Sequence, residues 1–434
     1  MLLLRCYNNI FIYCINRIKR EIDQIIKNQV MQYIIVFLYL YCLYLSAKKR
    51  MVQLFACILL FSLFMSEIIF NDNIILYIKG SGNFLFPVFF IYSFFYFFLY
   101  LLFVSYGLFG VFVHTVVVTL IPFFGILTPL NPIILLYRER ILPLPSLDIS
   151  ILNLFVLNLI PAIFFSFKTP GVIRGLILSL IVLSLDNTMY STSQKKLNVV
   201  VVQVGLYLES VGFRDNLSAD LIEFIKDKNV DLIVFSENTF FGFKNSYIEK
   251  KTVQLMEYIE KNRINDDYGI LLNFYGYRDI NNVVSYFWYK NETSHHQKSN
   301  LIPFFEKRNI FNTPEALDSP FIYYDKEIKD SKYFNFKGNI ISTHICYEGL
   351  FPNAEMETPD LSIIQSDYSR LNVGDKYDNL IINGTLLSKF SVAPKSSLIN
   401  VQNYGGTIVV DKNWNIDMDI FEKSKVEPFV LINI

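Results

Sequence analysis

The chain reads as a multi-span α-helical membrane domain followed by an α/β domain, and three observations predict it. Hydrophobic residues make up 53% of its 434 positions, and the mean hydropathy is +0.35, more apolar than a typical soluble domain. Long apolar runs with few charges fill the chain up to Lys195-Lys196. Beyond that point, charges are regularly spaced and short β-rich runs alternate with helical spacing. The predicted division is therefore residues 1–195 and 196–434.

In the first part, six runs have the length and composition of spans: Tyr33–Ala47, Val52–Phe70, Phe84–Val104, Gly107–Leu127, Ile149–Phe165 and Val172–Leu185. A crossing needs about 20 mostly apolar residues. Leu2–Ile15 is a seventh candidate, although Arg5, Asn8 and Asn9 make it costly in lipid and suit it to an interface. Pro132–Tyr137 is too short to cross alone and suits a re-entrant segment. No small-residue cleavage site marks the start as a signal peptide. Lys48-Lys49-Arg50 and the pair Lys168 and Arg174 lie an even number of spans apart and can share the cytoplasmic side. On that count the second part lies outside the cytoplasm, with Arg17, Lys19, Arg20 and Lys27 arguing the other way.

In the second part, LNVVVVQVG (Leu197–Gly205) is a β-branched run that suits a buried strand. Asn216–Lys228 has helical spacing of Leu217, Leu221, Ile222 and Ile225. VDLIVFSEN (Val230–Asn238) is a second strand with polar residues at its carboxyl end. Met256–Arg263 reads as helix and YGILLNFYGY (Tyr268–Tyr277) as a third strand. NVVSYFWYK, NIISTHICYE, LSIIQSD, SSLINVQN and GTIVVD repeat the strand signal. Such alternation implies a buried sheet with its working residues at strand ends.

Composition excludes some functions. With 39 basic and 39 acidic residues the net charge is zero, which gives no footprint for nucleic acid. Four of the five cysteines, Cys6, Cys14, Cys42 and Cys57, lie in the apolar part with no paired spacing. Neither a disulfide framework, a metal site nor a cofactor is expected. KGSGN (Lys79–Asn83) lacks the lysine-serine ending of a phosphate loop and reads as a turn. Arg138 and Arg140 read as an interfacial loop.

Three polar residues fall where the α/β pattern expects a site. Glu237 ends the VDLIVFSE run, Lys298 precedes NLIPFFE, and Cys346 ends NIISTHIC. Singly, each has a plain reading: a solvated strand end, a surface lysine, a core thiol. Together they meet the needs of thiol catalysis. A carboxylate takes the thiol proton, and an ammonium steadies the oxyanion. Burial would raise the Glu237 pKa and Lys298 would lower it. His344, two residues before Cys346, shares its face on a strand, yet no separate group to orient it is evident. His295-His296 lie in the polar run NETSHHQKSN, which reads as a solvated loop.

The ordered set of VFSE, KSNLIPFFE (Lys298–Glu306) and ICYE (Ile345–Glu348) resembles the nitrilase, or carbon-nitrogen hydrolase, superfamily. Within it, the chain is similar to the apolipoprotein N-acyltransferases, which join such a domain to membrane helices. LINVQNYGGTIVVDKNWNI resembles their closing segment. The resemblance implies a four-layer αββα sandwich with Glu237 as general base and acid, Cys346 as nucleophile and Lys298 as oxyanion stabiliser. The backbone N–H of Tyr347 would be a second oxyanion donor, with Glu306 and Glu348 in support. It further implies acyl transfer from a phospholipid, through a cysteine thioester, to the N-terminal amine of a lipoprotein or another amine. The setting implied is a bacterial inner (plasma) membrane.

The chain also departs from that family. Phe305 replaces a glycine, QSDYSRLN keeps Asp367 without the family's tryptophan, and VEPFVLINI stands where the family has a further span. Two alternatives follow: a conjugal-transfer-type membrane nitrilase or amidase, and a non-catalytic membrane assembly protein on the same scaffold.

Overall fold

The computed structural model describes residues 34–35, 37–70, 86–120, 151–166, 195–212, 216–243, 245–262, 267–276, 282–290, 292–301, 331–351, 358–369, 377–413 and 415–434. In the first part, helix covers residues 37–47, α1 (Met51–Phe70), α2 (Phe86–Val104), α3 (Gly107–Leu120) and α4 (Ile151–Phe164). Among the described residues no helix is long and apolar enough to cross a membrane. The expected multi-span domain, and with it the membrane localisation, is corrected accordingly. The runs expected at Gly107–Leu127 and Ile149–Phe165 give described helices of 14 residues each, about 21 Å long against the roughly 30 Å of a hydrocarbon core. Leu2–Ile15, Pro132–Tyr137 and Val172–Leu185 lie outside the described residues.

These helices pack on one another through Tyr39, Phe61, Tyr96, Phe97 and Tyr100, all buried. Tyr39 and Tyr96 share a hydroxyl hydrogen bond of 2.9 Å, and the Tyr100 hydroxyl donates to the Ala162 carbonyl at 2.7 Å. Their outward positions are apolar too, Val52, Phe109 and Phe37 among them. A helix apolar on every side gives the same hydropathy whether it is a core element or a span.

The α/β architecture expected of the second part is seen in part. One sheet has six strands in the order β11-β1-β2-β3-β4-β5, the other five in the order β10-β9-β8-β7-β6. The first comprises β1 (Asn198–Val202), β2 (Leu232–Phe235), β3 (Gly269–Tyr275), β4 (Val283–Tyr289), β5 (Glu292–Gln297) and β11 (Phe429–Asn433). The second comprises β6 (Tyr333–Phe336), β7 (Asn339–Ile345), β8 (Leu361–Ser366), β9 (Ser397–Gln402) and β10 (Ile408–Val410).

β1, β2 and β3 run parallel, and so do β7, β8 and β9. β11 closes the first sheet antiparallel to β1, pairing Asn198 with Asn433. The sheets face each other across Val199, Val201, Leu232, Phe287, Ile363 and Ile399. On the outer face of the first sheet lie α5 (Val204–Ser210), α6 (Leu217–Ile225) and α7 (Ser246–Lys261), over Val200, Val202, Ile233 and Phe235. α8 (Tyr377–Val392) and α9 (Met418–Ser424) serve the second sheet. The layers thus run α-β-β-α. α8 also packs against α1.

Candidate active site

Alternation explains how the strands aim their ends. β2 is buried at every residue, so its apolar side chains fill both neighbouring layers and the first polar groups appear where the strand stops. Ser236, Glu237 and Asn238 are those groups, all buried. Asn238 turns the chain back: its Oδ1 accepts from the Phe240 and Phe241 N–H groups at 3.0 and 3.1 Å. Lys298 follows β5 directly, and its N–H donates to the Val283 carbonyl at 2.9 Å. Its side chain is fully buried, and Nζ lies 3.1 Å from Glu237 Oε1. The other Glu237 oxygen accepts the Asp367 N–H at 3.1 Å.

Cys346 follows β7 directly and opens a 3-10 turn, Cys346–Leu350. It is buried, and its φ is +48°. A non-glycine residue held there is strained, and such strain persists only when the surroundings impose it. Glu348 braces this turn. Its Oε2 accepts the Ile345 N–H at 3.2 Å, closing the turn beneath the cysteine. Gly349 permits close packing behind: a Cβ there would meet Ile364 Cδ1 at 2.8 Å and Ser388 Oγ at 3.2 Å.

Glu348 carries further bonds. His296 Nε2 lies 2.7 Å from Oε2, while Oε1 accepts from Ser299 Oγ at 2.6 Å and the Ser299 N–H at 3.2 Å. Lys332 Nζ is 3.4 Å from Oε1. Burial pushes this carboxyl up, but His296, Lys332 and His344 outweigh it and hold it well below the usual carboxylate range. Glu348 is therefore an anion, and His296 Nε2 is the donor.

Thus the structure joins Glu237 and Lys298 directly, and ties the turn that opens at Cys346 to the Lys298 segment through Glu348. Ser299 and His296, on either side of Lys298, both bond to Glu348. Tyr368 sits near both halves: burial first, then the neighbouring Cys346 and Glu237, push its hydroxyl above the ordinary tyrosine value. Tyr347 lies in the turn with its ring against Phe351, centroids 5.1 Å apart. Glu306 lies outside the described residues.

Sequence reasoning missed several members. The run around His296 forms strand β5 rather than a solvated loop, and His296 is 3% exposed. Edge pairing with β4 supplies its backbone bonds, so no apolar alternation is needed. His344 is buried, and neither ring nitrogen has a hydrogen-bond partner among the described residues. Burial, then Lys332 and His296, push its pKa to about 3 against the opposing pull of Glu348. It is neutral and poorly suited to be a base. Asp367 was marked only as a residue that QSDYSRLN keeps, and Gln365 gave no signal beyond its place at a strand end. Gln365 Nε2 donates across the sheets to the Phe235 carbonyl at 2.7 Å.

Among the described residues no group of His, Cys, Asp and Glu has the arrangement of a metal site. What the strand ends offer is a buried carboxylate–ammonium pair and a buried thiol at a left-handed φ.

No family model matches the chain. No curated protein matches it. Among solved structures, it is similar to an amidase from Nesterenkonia sp., at 14% identity over 51% of this chain and 84% of that one, with a TM-score of 0.34. It is similar also to a glutamine-dependent NAD+ synthetase from Acinetobacter baumannii, at 14% identity over 51% and 43% of the two chains, with a TM-score of 0.36. A third is a CN-hydrolase superfamily protein from Xanthomonas campestris, at 15% identity over 56% and 91%, with a TM-score of 0.36.

Proposed function

We propose that residues 196–434 form an enzyme of the carbon-nitrogen hydrolase type that works through a cysteine thioester. The observation that carries this reading is the buried Lys298–Glu237 pair, 3.1 Å apart, on the same rim as a cysteine held at a left-handed φ. In the first half-reaction the Cys346 thiol gives its proton to Glu237 as Sγ bonds to the substrate carbonyl carbon. The carbonyl electron pair moves to oxygen, where Lys298 Nζ and the Tyr347 N–H stabilise it. Collapse of that oxyanion expels the amine or alcohol, which leaves with the proton from Glu237. In the second half-reaction Glu237 takes a proton from the acceptor, which attacks the thioester. Cys346 then departs and recovers a proton from Glu237.

Water as acceptor gives an amidase. A primary amine gives an N-acyltransferase, and the resemblance of ICYE and KSNLIPFFE to that family favours a phospholipid donor and a lipoprotein amine. Cys346 belongs to an apolar cluster with Tyr275, Leu301, Ile345 and Ile381, a setting that suits an acyl chain.

The test is mass spectrometry of the protein after incubation with phospholipid or with a short amide. A hydroxylamine-sensitive acyl adduct on Cys346, absent from Cys346→Ala, is the expected result. An adduct from the amide alone, followed by release of the acid, selects the amidase. No adduct from either, with wild-type function in Cys346→Ala, returns the non-catalytic reading.

A further inference from the structure

Glu348 binds two strands at once, and the residue that makes this possible is on the strand that looked like a loop. We propose that His296 is a positioning residue of this site: through Glu348 it holds the Cys346 turn against the strand that carries Lys298. The proposal rests on the reading of Cys346 as nucleophile and Lys298 as oxyanion donor.

His296 and Lys298 are two positions apart along the β5 direction and point to the same side. One meets Glu348, the other meets Glu237. Opposite His296 on β4 stands Ser285, whose hydroxyl shares a 2.8 Å hydrogen bond with Thr343 on β7. The β4–β5 edge of one sheet is therefore stitched to β7 through Ser285 and Thr343, and to the turn after β7 through His296 and Glu348. Lys332 backs the same carboxylate from a partly exposed position, and its carbonyl accepts the Thr343 N–H at 2.9 Å.

His296 and Ile345 share Oε2, whereas Ser299 and Lys332 share Oε1. Removing the imidazole leaves Oε2 with the Ile345 N–H alone and all remaining charge on the Lys332 side. The carboxylate then swings toward Lys332 and releases the Ile345 N–H. Cys346 loses what holds it at positive φ and relaxes away from Lys298. His344 does not compensate, since it is neutral and makes no hydrogen bond among the described residues.

The test compares His296→Leu with His296→Gln, whose amide N–H reaches a similar distance. His296→Leu is expected to lower kcat about a hundredfold, the scale of an ångström's misplacement, with KM within about twofold. It should also slow alkylation of Cys346 by iodoacetamide and shift the pH profile of that reaction. His296→Gln should restore most of both. Wild-type kcat and alkylation in His296→Leu would overturn the proposal, and so would equal damage in the two variants, which would point to ring volume. Should His296→Leu fail to fold, Ser299→Ala supplies the second tether test: a severalfold slower alkylation supports the proposal, and an unchanged profile refutes it. Activity surviving in Cys346→Ala would sink the catalytic reading instead, while the alkylation arm still reports whether His296 governs the thiol.

Discussion

Lys298 and Lys389 are both buried, at 2% and 0% exposure, yet their surroundings differ in kind. Lys298 stands at the rim between the sheets, 3.1 Å from the Glu237 carboxylate. Lys389 lies near the end of α8, donating to the Ala393 carbonyl at 2.7 Å and to the Ser396 carbonyl. Burial pushes Lys389 down to about 7, with Asp411 opposing. Carbonyl dipoles can close a helix end, but a carboxylate partner is what balances a full charge in a dry site. The difference separates a lysine that is paired with a carboxylate, as the proposed oxyanion role requires, from one that terminates a helix.

The largest effect should come from breaking the rim pair. Lys298→Met removes the proposed oxyanion donor and the cation 3.1 Å from Glu237, so kcat is expected to fall about a hundred- to a thousandfold. Glu237→Gln, which keeps the shape and removes the proposed base, should fall by a similar factor. The double variant should cost little more than either single one, since the two act as a unit. Steady-state kinetics on the substrate that acylates Cys346 would check all three, and simple additivity would argue against a shared step.

Next in size is Glu348. Its folded pKa lies below the unfolded value, so its contribution to stability is fully present above the usual carboxylate pKa. That contribution is lost as pH falls through the folded value. Glu348→Gln should be less stable than wild type at neutral pH, and the gap should close on acidification. Denaturant melts across the acid range would show it.

Lys389 gives the same sign in a higher pH window, but there the lowered pKa is a cost of burial rather than a gain from partners. Its folded pKa of about 7 lies below the ordinary 10.5, so the unfolded chain binds the extra proton between those values. Wild-type stability therefore rises with pH across that window, by about 1.4 kcal/mol per unit from this group. Lys389→Met removes the rise, and its stability curve should fall behind wild type progressively from neutral to alkaline pH.

The smallest effect is the control. Lys423 and Glu427 are both about half exposed and 3.6 Å apart. Lys423→Gln should change stability by less than about 0.5 kcal/mol.

The elements legible in the sequence are those whose side chains do one job. LNVVVVQVG contains β1 and VDLIVF contains β2, because both strands are buried on two faces and need unbroken apolar runs. The α7 helix was expected only from Met256, yet it starts at Ser246, where Asn245 accepts the Ile248 N–H at 3.0 Å. Its first turns are too polar for a periodic signal, and the cap alone marks them. Among candidate site residues, Glu237 and Cys346 were legible from their place at strand ends and Lys298 from its place before NLIPFFE. His296, Ser299 and Lys332 were not, because a buried network around a carboxylate recruits polar residues from distant segments. In the apolar part, hydropathy could not tell a helix packed on other helices from one that crosses a membrane.

The pairing of β1 with β11 sets a schedule for folding. Asn198 takes Asn433 as its neighbour, so the first sheet gains its outer strand only after residue 433 has left the ribosome. Contacts so far apart in the chain carry a high loop-closure cost and form late. Until then, β1 is an open edge able to pair with another chain. A chaperone that covered that edge during synthesis would guard it until β11 arrives.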